Sequence, residues 1–276
     1  MKLIRFGEKG KEKPGLWQNG RIVDLRCIFP DMPDIGEIFF TEGWMEKIAG
    51  VDAHGEEMDV RLGPPISRPG KIICLGKNYA EHAREGGFDA PKAPLLFCKT
   101  ANTVNGPFDP IPMPRHSGKI DWEVELAVVI GREGKAISKT EALDYAAGYM
   151  IMNDVSGREA QFGDGQWFRG KSFDGFAPMG PFLVTPDEIG DPSCLKLEAR
   201  VDDQVMQSGS TRDMIFKIPD IIEYVSQGMT LWPGDIISTG TPSGVGIFRD
   251  PPVLLKPGNV VECRIEKIGV IRNMCM

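Results

Sequence analysis

Apolar positions along this chain fall in short runs bounded by glycine, proline and small polar residues, a rhythm that predicts strands joined by turns. The clearest runs are 71–75, 124–130, 148–152, 195–201, 235–239 and 260–271. Helical periodicity is confined to 219–227, with Pro219 in the first turn and Gly228 past the end, and more weakly to 44–49. Asn19-Gly20 separates two short strand-like runs and predicts a tight hairpin, since both residues tolerate positive φ. Strands outnumber helices and do not alternate with them, which predicts an α+β, mostly β fold rather than a doubly wound sheet. The stretch 62–70 carries three prolines and two glycines and reads as a linker. It divides the chain into a small N-terminal domain, 1–68, and a main domain, 69–276.

Charge narrows the function. Lys plus Arg total 32 against 39 Asp plus Glu, a net charge of -7. A field of that sign repels phosphate backbones and anionic lipid, so nucleic-acid and membrane-surface partners are disfavoured. No run approaches the ~18 apolar residues of a membrane span, and the N-terminus shows no signal-like apolar core. The six cysteines are scattered without a C-x-x-C pair, which suits free thiols in a reducing compartment, and a cytoplasmic location is expected.

The sharpest chemical signal is Asp121-Trp-Glu-Val-Glu-Leu-Ala-Val-Val-Ile-Gly131. On a strand, Glu123 and Glu125 share one face while Trp122, Val124 and Leu126 take the other. Adjacent carboxylates repel unless a positive charge sits between them, and Mg²⁺ or Mn²⁺ prefers such oxygen ligands. A solvent-facing edge of an amphipathic strand would carry the same pattern. A second apolar run ends in Asn153-Asp154, where Asp154 could add a third carboxylate, or serve as a turn residue or helix cap. Asn78 and Glu81 offer a capping pair for a short helix carrying His82 and Glu85. Taken alone, that histidine and glutamate would be a surface pair, and Lys171 a snorkelling lysine. His54 and His116 have no such context and read as structural or exposed. The turn 240–246, Gly-Thr-Pro-Ser-Gly-Val-Gly, lacks the ending of a phosphate loop and reads as a substrate-side turn.

Together these segments resemble the fumarylacetoacetate hydrolase (FAH) family. The resemblance runs from about Lys71 to Asn273 through ICLGKNYAEHAREGG, DWEVELAVVIG, NDVSGREAQ, RGKSFDGFAPMGPFLV, FKIPDIIEYVSQGMTLWPGDIISTGTPSGVG and LKPGNVVECRIEKIGVIRN. It implies a rolled mixed β-sheet main domain with short helices behind a small α/β N-terminal domain, commonly in a homodimer. It also implies Glu123, Glu125 and Asp154 as ligands of one Mg²⁺ or Mn²⁺, and His82 with Glu85 as a dyad that activates water or moves protons. Lys171 is expected beside the metal, and Gln161 and Thr241 against the substrate. Two departures bear on substrate: Leu75-Gly76-Lys77 stands where the namesake has a further carboxylate ligand, and Gly157-Arg158-Glu159 where many relatives read A-R-D.

A 2-keto acid chelates a cation through its carboxylate and keto oxygens, and cation plus lysine would stabilise an enolate. The leading expectation is hydrolysis of a C–C bond in an acylpyruvate-like 2,4-diketo acid. Oxaloacetate decarboxylation or tautomerisation follows, suggested by the C-terminal stretch 244–271, and then a sugar-derived 2,4-diketo-3-deoxy acid. A catalytically silent, metal-stabilised binding protein is the alternative of another class.

Overall fold

The computed structural model describes residues 1–51, 55–115 and 117–276. Its principal strands are β1 (Lys2–Phe6), β2 (Lys13–Gln18), β3 (Arg21–Asp24), β4 (Ile72–Gly76), β5 (Leu95–Lys99), β6 (Val124–Ile130) and β7 (Ala146–Asn153). They continue with β8 (Ala177–Val184), β9 (Lys196–Val201), β10 (Gln204–Ser210), β11 (Ile236–Ser238), β12 (Val260–Ile265) and β13 (Gly269–Met274). The main sheet runs β3-β2-β1-β8-β7-β6-β11-β4-β5, and a second runs β10-β9-β12-β13. The main sheet is mixed: β4 and β11 pair in parallel, while β6 pairs antiparallel with β7 and β11. The fold is therefore mostly β, as the apolar rhythm predicts.

β6 is central, and every one of its residues is buried. Val124, Leu126, Val128 and Ile130 join a core shared with Leu197, Ala199 and Cys263 of the second sheet, while Ala127 and Val129 pack on the opposite side. Glu125 stands on a strand covered on both faces and Glu123, just before it, is buried as well, which removes the solvent-facing edge as an explanation.

The described residues of 1–68 share the main sheet and much of their core with the rest of the chain. β1 pairs with β8 through Leu3 and Leu183. Leu3, Leu16, Phe39, Phe40 and Ile48 pack in one cluster with Ile72, Cys74, Ala127 and Val129. The stretch read as a linker is buried from Gly63 to Ile66. Across it, Arg61 donates to Asp109 at 2.7 and 2.6 Å and to Glu12 at 2.8 Å. Proline and glycine there serve a packed crossover, not a flexible tether.

Local expectations resolve in the same way. Asn19 and Gly20 both have positive φ (50° and 83°) and join β2 to β3. The long run 260–271 is two strands of a hairpin, reversed near Lys267, whose φ is 64°. The helix read at 219–227 spans Ile218–Gly228. The short helix Ala80–Glu85, here α1, starts after Tyr79 without a side-chain cap. Asn78 instead donates to the carbonyls of Phe216 (3.0 Å) and Thr239 (2.8 Å) and accepts from Phe216 N (2.8 Å). Its amide serves as an anchor because buried backbone groups nearby need partners. His54 and His116 lie outside the described residues. Among the described residues, no helix is long and apolar enough to cross a membrane.

Candidate active site and metal centre

Glu123 immediately precedes β6, Glu125 is its second residue, and Asp154 follows the end of β7, its antiparallel neighbour. The register Asn153↔Val124 brings the three carboxylates to one place, and Asp154 N donates to Glu123 O at 2.9 Å. One carboxylate oxygen from each lies within 4.8 Å of the others, and all three residues are buried. Lys171, on the short helix Phe168–Lys171, donates from Nζ to Glu123 Oε2 (2.6 Å) and Asp154 Oδ2 (2.7 Å). The structure therefore gathers four of the residues singled out in the sequence.

Three buried residues complete the cluster and were not singled out as site groups. Lys99 Nζ donates to Asp154 Oδ1 at 2.6 Å and to Val155 O at 3.0 Å. Arg158 donates to Glu123 Oε1 (2.7 Å), to Asp121 Oδ2 (2.9 and 2.8 Å) and to Gln161 Oε1 (2.9 Å). Asp121 also accepts from the amides of Trp122, Gly246 and Ile247. A charged residue ending an apolar strand, as Lys99 does, was the available signal. The pairing itself depends on contacts far apart in sequence.

Four buried carboxylates (Asp121, Glu123, Glu125, Asp154) face three buried cations (Lys99, Arg158, Lys171), so one negative charge is left over. It falls on Glu125. Ser238 Oγ and Gly240 N donate to its Oε2 at 2.5 and 2.9 Å, but no cation pairs with it among the described residues. Burial and the charges of Asp154 and Glu123 push its carboxyl well above the usual range. Glu123 shows the reverse. Burial would raise it, but Lys171, Arg158 and His82 together hold it below the ordinary carboxylate value. Burial pulls Lys99 down against the attraction of Asp154, whereas Asp154 and Glu123 overcome burial and hold Lys171 up. An all-oxygen donor set with one uncompensated charge fits a hard divalent cation.

His82 lines a cavity of about 270 Å³ together with Glu123, Glu125 and Lys171. Its Nδ1 is 2.9 Å from Glu85 Oε1, and Glu85 Oε2 accepts from Gly244 N at 2.8 Å. α1 places the two side chains on one face at i,i+3 spacing, and the 240–246 turn braces the glutamate. With Glu85 accepting from Nδ1–H, the Nε2 lone pair is left for a ligand. Phe88, Phe97, Trp167 and Phe248 supply apolar walls. Gln161 and Thr241 both line the cavity. Thr241 Oγ1, however, donates to Val124 O (2.9 Å) and accepts from Gln207 Nε2 (2.8 Å), so its hydroxyl is already engaged by the protein.

Asp121 makes a stability prediction possible. Both its oxygens accept only from donors, so the amide of Asp121→Asn would face N–H groups while Arg158 loses a counter-charge. Denaturant unfolding should show a loss of about 3–5 kcal/mol, the cost of breaking a buried ion pair from one side. A loss below about 1 kcal/mol would show that the network is not cooperative.

The description "Fumarylacetoacetate (FAA) hydrolase C-terminal" matches residues 71–275. A Bos taurus protein named oxaloacetate tautomerase FAHD2A, mitochondrial, is 44% identical over 285 residues, covering 99% of this chain and 91% of its own length. The solved structure of a fumarylacetoacetate hydrolase from psychrophilic Exiguobacterium antarcticum superposes with a TM-score of 0.82 at 38% identity, covering 100% of this chain and 99% of that one. A 2-hydroxyhepta-2,4-diene-1,7-dioate isomerase from Mycobacterium marinum gives a TM-score of 0.78 at 34% identity, with coverage of 100% and 98%.

Proposed function

The chain belongs to the fumarylacetoacetate hydrolase family, and from that premise we propose that it catalyses keto–enol tautomerisation of a small 2-keto acid of the oxaloacetate type. The observation that carries this reading is that a braced histidine, His82, lines one small cavity together with Glu123 and Glu125 of the buried carboxylate triad. A 1,3-proton shift needs one acid–base group able to reach carbon and oxygen in turn. His82 would take the proton from the carbon next to the keto group and return it to the keto oxygen, while Glu85 and Gly244 hold the ring. Glu123, Glu125 and Asp154 would hold Mg²⁺ or Mn²⁺, which when bound supplies Lewis-acid stabilisation of negative charge on the keto oxygen. Lys171 orients Glu123 and Asp154, Arg158 orients Glu123, and the aromatic side chains line the cavity with apolar surface.

C–C hydrolysis, the first expectation from sequence, uses the same dyad on a water molecule and remains the second reading. The cavity of about 270 Å³ falls just below the usual range of ligand pockets, roughly 300–1,000 Å³, which suits a compact acid such as oxaloacetate or acetylpyruvate over a longer diketo acid. The relative's name favours tautomerisation.

The test measures decay of enol-oxaloacetate absorbance and cleavage of acetylpyruvate, each with Mg²⁺ or Mn²⁺ and with EDTA. Enol decay should be accelerated, should depend on metal, and should exceed acetylpyruvate cleavage in kcat/KM. A higher kcat/KM for acetylpyruvate would establish hydrolysis instead. No acceleration of either would support the silent binding protein.

A further inference from the structure

Lys77 lines the cavity, but unlike Arg158 and Lys171 it pairs with no carboxylate among the described residues. Its Nζ lies 3.4 Å from the centroid of the Phe88 ring. Its placement is fixed from both sides. The backbone is left-handed at φ 59°, a strained conformation for a residue with a Cβ. Next to it, Gly76 leaves no room for a side chain, since a Cβ there would come within 2.4 Å of Trp167. Asn78 on the other side is the anchor described above. Partial burial holds the Lys77 ammonium below the usual lysine value, as expected for a cation that has given up water without gaining an anion. A strained, pinned and unpaired ammonium on a cavity wall is a built anion receptor. The other lining cations are committed to the metal-ligand cluster.

We propose that Lys77 is the specificity-determining residue of this cavity and binds the second, distal carboxylate of a 2-keto dicarboxylate. The inference rests on reading the cavity as a keto-acid site. The end of the substrate bearing the keto acid would face Glu123, Glu125 and Asp154, and the far end would find Lys77 resting on Phe88. The face of the Phe88 ring attracts the ammonium and favours this placement of it at the cavity wall. Substrates ending in an alkyl group leave Lys77 without a partner, so discrimination comes from an unpaired charge as well as a gained contact.

The experiment compares oxaloacetate with 2-oxobutanoate, which has the same four-carbon chain but no distal carboxylate. Binding to the Mg²⁺-loaded protein is followed by calorimetry, and exchange of the C3 protons by NMR in D₂O. Wild type should prefer oxaloacetate. The preference should fall roughly 10- to 100-fold in Lys77→Met, mostly through binding, and return in large part in Lys77→Arg. Should Lys77→Met fold poorly, Lys77→Gly removes the same charge and suits the left-handed backbone. An unchanged preference in the neutral variants, with or without a lowered melting temperature, would overturn the proposal and leave Lys77 a packing residue. If wild type fails to accelerate enol decay but its binding preference still depends on Lys77, the tautomerase reading falls and this inference stands.

Discussion

Glu125→Gln is expected to abolish metal-dependent turnover while making the metal-free protein harder to unfold at neutral pH. The two effects have one cause. Glu125 is the buried carboxylate without a cation, held well above its ordinary range by burial and by Asp154 and Glu123. Its folded pKa exceeds its unfolded value of about 4.3, so its contribution to stability is fully present below that value and is lost as pH rises through the folded pKa. Glutamine keeps the carbonyl that accepts from Ser238 and Gly240 and brings no charge, so it escapes that loss. Unfolding in EDTA should show variant and wild type nearly level at about pH 5 and the variant more stable by about pH 8. Adding Mn²⁺ should then raise the melting temperature of wild type and leave the variant unmoved, because binding stabilises only a state that can bind. Turnover should fall by about 10²–10³-fold or more, as for loss of a central electrostatic stabiliser. Turnover retained within about tenfold would remove the metal centre from the mechanism.

How far this site could be read in advance follows from how each residue is held. Glu123 and Glu125 announce themselves because a strand puts alternate residues on one face, and charge beside a solid apolar run is conspicuous. Asp154 follows from its place at the end of another such run. Lys99, Arg158 and Asp121 do not, since their meaning lies in ion pairs 35 to 55 residues apart. Local pattern contains no information about such closures. The same limit explains β8. Its sequence, Ala-Pro-Met-Gly-Pro-Phe-Leu-Val, carries two prolines and a glycine that locally signal a turn. A register shift in its pairing with β7 accommodates them. Missing that strand also hides how the N-terminal strands connect to the main sheet, because β8 joins β1 to the rest of it. Asn78 shows the opposite error. Its spacing to Glu81 satisfies the capping rule, yet tertiary partners at Phe216 and Thr239 claim its amide.

His82→Ala is expected to lower kcat for enol decay by about 10²–10⁴-fold, the usual contribution of a positioned acid–base group. Mn²⁺ affinity should stay within a few-fold of wild type, because His82 makes no hydrogen bond to the carboxylate cluster. It influences Glu123 only through its charge. Glu85→Gln separates orientation from proton transfer. The amide oxygen can still accept from Gly244 N or from Nδ1–H, but not from both with the same charge. The ring therefore loses its fixed tautomer while remaining in place, and an intermediate loss of roughly 10- to 100-fold is expected, by analogy with other groups that orient a ligand or catalyst. Added imidazole should recover part of the activity of His82→Ala and none of that of Glu125→Gln, since only the former leaves a vacant space for a diffusible base beside an intact cluster. The pair also divides the two reaction readings. Attack by water needs a base throughout, so acetylpyruvate cleavage should collapse in His82→Ala, whereas enol decay should keep whatever the carboxylate cluster and its cation contribute alone. If both reactions retained near wild-type rates, the proton would be moving through another group, and Lys171, a titratable donor that lines the cavity and contacts Glu123 and Asp154, would be the next residue to replace.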